Sequence, residues 1–122
     1  MNSIRPRFTA LALTAMLACG PAAAATVSEC IADVQIVQDT INAATTFTTL
    51  NDQAALATKA GNVMQKIDKA NFTDALKGLA DINDQVAKLV AANKPKLGAA
   101  DAAAITAEDN TAAACVTQLL TQ

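Results

Sequence analysis

The chain has 122 residues, of which 52 % are hydrophobic and 2 % aromatic, and a formal net charge of −2 at pH 7. It has no histidine, tryptophan or tyrosine, which excludes a histidine base, histidine metal ligands and haem attachment through a Cys-x-x-Cys-His motif. An acidic balance without a basic run argues against nucleic acid or an anionic lipid surface as the partner.

Residues 1–25 read as a secretory signal peptide. Arg5 and Arg7 form a positive start, Phe8 to Ala18 is apolar but short for a bilayer, Pro21 breaks the run, and Ala23 and Ala25 offer a small-x-small cleavage site. The competing readings are an uncleaved anchor and a lipoprotein anchored through Cys19, because Ala15-Met16-Leu17-Ala18-Cys19 is similar to a bacterial lipobox. Ordinary cleavage is preferred, since alanines follow Pro21 directly. The expected product is one exported domain, 26–122, in the periplasm or outside the cell. Loss of both arginines takes the net charge from −2 to −4, with seven lysines against eleven acids. Cys30 and Cys115 remain, and the default for a cysteine pair in an exported chain is a disulfide.

Val27, Cys30, Val34, Val37, Ile41 and Ala44 fall at three- and four-residue steps, which predicts a first helix with one apolar stripe. Thr26 and Glu29 have capping-box spacing ahead of it. The helix is expected to fade in Thr45-Thr46-Phe47-Thr48-Thr49, since threonine is stiff at χ1, with Phe47 and Leu50 plugging the end of the core. Asn51 and Asp52 offer a new start.

A second helix is expected from Asp52 to Lys69, with Leu56, Ala60, Val63, Ile67 and Ala70 inward and Met64 beside them. Lys59, Lys66 and Lys69 read as a solvated face close to the acids of the first helix, in preference to a cationic strip for an acidic partner. A third helix, from Phe72 to Ala92, buries Phe72, Ala75, Leu79, Ile82, Val86 and Leu89, with Leu76 and Val90 widening the stripe. Asn71 and Asp74 stand at N-cap and third helical positions, and Asp84 precedes Lys88 by four residues in the favourable order. Asn71-Phe72-Thr73 is also a glycosylation sequon, although capping accounts for Asn71 without a sugar. Pro95 enforces the stop.

The fourth segment, Gly98 to Leu120, continues the pattern through Ala102, Ile105, Ala112, Val116 and Leu119. Its stripe passes through Asp109 or Glu108, and a buried unpaired carboxylate is costly. Thr106-Ala107-Glu108-Asp109 has capping-box-like spacing, so a break there is preferred over a polar site inside the core.

The two cysteines lie near opposite ends of the expected domain. They meet only if an even number of long, hairpinned helices brings both ends to one pole. The fold expected is therefore all-α: an antiparallel up-down-up-down four-helix bundle with a Cys30–Cys115 disulfide between its first and last helices.

No catalytic residues, cofactor or metal site is expected. Gly-rich phosphate loops are absent; Asp81-Ile82-Asn83-Asp84 lacks the glycine and terminal glutamate of a calcium loop; and thiol oxidoreductases hold their cysteines close in sequence. Gly61 and Gly78 interrupt predicted helices, where glycine costs about 1 kcal/mol relative to alanine. Close helix approach is the ordinary reason and a ligand notch the sharper one. The function expected is a non-catalytic protein-interaction or structural role for a monomer or weak homodimer with a protein partner. The alternative is carriage of an apolar ligand, or adsorption to an apolar surface, through the core.

Overall fold

The computed structural model describes residues 24–122. They hold four helices and no strand: α1 (Val27–Ala43), α2 (Leu50–Asp68), α3 (Phe72–Ala91) and α4 (Ala99–Thr121). The expected export signal, save its last two residues, and Cys19 lie outside the described residues.

The apolar stripes account for the packing. Each helix contributes one buried row: Cys30, Val34, Val37 and Ile41 from α1; Leu56, Ala60, Val63 and Ile67 from α2; Ala75, Leu79, Ile82 and Val86 from α3; Ala102, Ile105, Ala112 and Val116 from α4. Successive helices pack on one another, and α1 packs on α4 to close the ring. Leu97, in the connection before α4, is 1 % exposed and stoppers the core, with Phe47 packed partly buried against the same cluster.

Polar contacts between elements fix the register. Gln53 Nε2 donates to the carbonyls of Ile41 (2.8 Å) and Ala44 (3.0 Å), supplying partners to the open C-terminal end of α1. Gln38 Nε2 donates to Ala57 O at 2.9 Å. Asp101 Oδ2 accepts from the backbone N–H groups of Thr45 and Thr46 and from the Thr46 hydroxyl, while Thr46 Oγ1 accepts from Gly98 N. Thr48 N donates to Lys96 O at 3.0 Å, so the two connections at this end are stitched together. Away from that clasp, Cys30 and Cys115 are joined by a disulfide with Cα atoms 5.5 Å apart across 85 residues of sequence. Gln122 Nε2 donates to Ala25 O at 3.0 Å.

The Thr26–Glu29 capping box forms in both directions. Four expectations are corrected. Helix α4 runs unbroken through Thr106-Asp109, because alanine-rich turns on both sides favour helix and Asp109 is taken into the core. Leu50 does not plug the core; it opens α2 and is 82 % exposed. Ala70 lies beyond α2 with φ 61°, where the chain reverses, its N–H donating to Ile67 O and that of Asn71 to Lys66 O. Asn71 is the N-cap of α3 by position, but its side chain makes no cap bond and donates instead to Asp74 Oδ2 at 2.9 Å.

Candidate functional site

Two places stand out as candidate sites among the described residues. The first is a cleft of about 170 Å³ between α2 and α3, lined by Lys59, Asn62, Val63, Lys66, Asp74, Gly78 and Asp81. Gly78 creates it: α3 comes so close to Val63 that a Cβ at position 78 would meet Val63 Cγ2 at 2.6 Å. Lys59 pairs with Asp81 across the cleft, and Lys66 Nζ lies 4.0 Å from Asp74 Oδ2. The acids that pair with these two lysines belong to α3. A broader polar hollow of about 500 Å³ adjoins it, lined by Asn62, Gln65, Lys66, Lys69 and Asn71. Gly61 borders α1 instead, where a Cβ would sit 3.4 Å from Gln38 Nε2, an ordinary contact.

The second is Asp109, the one buried charged or polar residue among the described residues, with 0 % of its surface exposed. Neither of its carboxyl oxygens has a hydrogen-bond partner. Desolvation by the surrounding apolar rows penalises its charged form and pushes its pKa from 3.8 to about 7. On α3 the Asn83 amide donates to Asn110 Oδ1 at 2.9 Å, beside Asp109 in the sequence, and the Asn83 Oδ1 atom is also buried without a donor.

The sequence flagged Asp109, Gly61 and Gly78, and these do not converge. Gly78 belongs to the α2–α3 cleft, Gly61 faces α1, and Asp109 lies in the interior contributed by α4. Asn83, inside the Asp81–Asp84 run, carries no sequence motif of its own. That run disperses around the helix: Asp81 pairs with Lys59, Asn83 with Asn110, and Asp84 with Lys88 at 3.3 Å. Its readable signal was position, one residue past buried Ile82 and therefore on the flank of the α3 stripe.

Among the described residues no group of three His, Cys, Asp or Glu is placed to hold a metal ion, and no helix is long and apolar enough to cross a membrane. A disulfide-bonded pair fits an oxidising compartment. The chain matches no protein-family model, no curated protein and no solved structure.

Proposed function

We propose that this chain is an exported, antiparallel up-down-up-down four-helix bundle that works through its outer faces as a non-catalytic protein-interaction or structural module. The observation that carries the reading is the closed interior. Ile41, Ile67, Leu79, Ile82 and Ile105 are fully buried, and Leu56 and Leu97 nearly so, which leaves the helix exteriors as the working surface. The antiparallel order is supported by the falling α1 numbers met by rising α2 numbers, Ile41 with Gln53 and Gln38 with Ala57, and by the bridge between the start of α1 and the end of α4.

The α2–α3 face is the preferred surface. Its cleft presents an apolar floor at Val63 between two lysine–aspartate pairs, so it suits a partner side chain with an apolar body and a charged end. Carriage of an apolar ligand is the second reading, favoured by Asp109, whose ionisation would weaken the packing that closes the core.

The separating experiment is native purification followed by mass spectrometry for bound lipid, alongside cross-linking to exported proteins with wild type and a Lys59→Glu, Lys66→Glu double variant. The interaction reading expects cross-linked protein that the double variant loses and no bound lipid. Lipid at near-stoichiometric yield sinks it in favour of carriage.

A further inference from the structure

Helices α3 and α4, joined by the bond from the Asn83 amide to Asn110 Oδ1, carry an unbalanced set of hydrogen-bonding atoms. Asp109 Oδ1, Asp109 Oδ2 and Asn83 Oδ1 are buried acceptors, and all three lack a donor. Native interiors supply donors to such atoms, since each one left unmade costs the full desolvation of the group. A single proton on Asp109 changes the count: it removes the buried charge and adds one donor beside Asn110, the residue that the Asn83 amide already holds.

No charged side chain of α1 or α3 lies in the buried rows packed against α4. The buried rows of α1 and α3, the helices packed on α4, are apolar throughout. The charged groups of α1 are Glu29, Asp33 and Asp39, all outside the buried set. Those of α3 are also outside it: Asp81 is held by Lys59 of α2, Asp84 by Lys88, and Asp74 and Lys77 lie in the earlier turns. On α4 itself Asp101 is engaged with Thr45 and Thr46, and Glu108 lies outside the core. No lysine is buried, so a salt bridge cannot replace the proton.

We propose that Asp109 is carried as the neutral acid and fastens α3 to α4 by donating its proton to Asn83, so that rising pH releases this interface while Cys30–Cys115 keeps α4 tied to α1. The device is a proton-dependent latch and does not rest on either functional reading. Burial of the carboxyl group sets its range, because the folded protein holds the proton up to about pH 7 whereas the unfolded chain releases it near 3.8.

The test is thermal unfolding of the oxidised protein at pH 5 and pH 8, for wild type, Asp109→Asn and Asn83→Ala. Wild type should melt roughly 10 °C lower at pH 8 than at pH 5. Asp109→Asn, which keeps the shape and supplies an N–H donor at every pH, should lose most of that difference and melt above wild type at pH 8. Asn83→Ala should be more damaging at pH 5, where the latch is closed, than at pH 8. A wild-type melting temperature that is flat or rises over this range overturns the proposal, as does an equal Asn83→Ala effect at both values. Should the variants fail to fold, carbon-13 titration of wild-type aspartate carboxyls decides: one midpoint near neutrality supports the latch, and all midpoints below about pH 5 overturn it.

Discussion

Gly78 and Val63 stand so close that a Cβ on the glycine would lie 2.6 Å from Val63 Cγ2. Val63 is β-branched and only 2 % exposed, so it cannot swing aside. Overpacking of this kind costs about 1–3 kcal/mol, which outweighs the roughly 1 kcal/mol that alanine gains over glycine in a helix. Gly78→Ala should therefore lower the urea midpoint. Gly61→Ala, meeting only Gln38 Nε2 at the ordinary contact distance of 3.4 Å, should leave it unchanged or raise it.

Reduction of Cys30–Cys115, or a double Cys→Ala variant, should lower stability substantially. The bridge spans 85 residues of sequence, and closing a loop of that length is worth about 4.5 kcal/mol in the chain-entropy model. For a domain this size that corresponds to a loss on the order of 20 °C in melting temperature. Circular dichroism melts with and without reductant check it, with dominant helix expected in the oxidised form.

Asp109 sets the sign of a pH dependence. Its pKa is raised from 3.8 to about 7 by burial, so the folded state binds a proton that the unfolded state has lost. Stability from this group is fully present below about pH 4, declines as pH rises, and is lost once pH passes about 7, a change on the order of 4 kcal/mol. Urea unfolding at pH 5 and pH 8 should place the higher midpoint at pH 5.

Much of the fold was legible because burial and helical period coincide: every inward position from Cys30 to Ile41 and from Ala75 to Val86 could be read off three- and four-residue steps. Asp109 obeyed the same period, yet its charge argued for a break. What overruled the charge is that a carboxyl group can be buried by keeping its proton, an option invisible in the one-letter sequence. Leu50 failed for the opposite reason: it is apolar, but the first position of α2 points outward. Links between segments far apart in the chain, such as Gln53 reaching the end of α1 or Asn83 reaching α4, have no local pattern and emerge only from the packed helices.

The clasp at Asp101 is one such link, and removing it should be measurable. A single carboxylate oxygen accepts from two backbone N–H groups and the Thr46 hydroxyl, and hydrogen bonds to a charged acceptor are among the stronger ones. Asp101→Ala should cost about 1–2 kcal/mol. Glu108→Gln, on the same helix but without such contacts, should stay within about 0.5 kcal/mol of wild type by chemical denaturation.

The placement of the bridge also bears on how the protein withstands proteases. Cys30 stands near the start of α1 and Cys115 near the end of α4, so all three connections between helices lie between them. Exposed loop tips are where endoproteases cut first. A single nick in any of those connections leaves two fragments still held by sulfur, each remaining beside the surfaces it was packed against, and the clipped molecule can stay assembled until a reductant parts it.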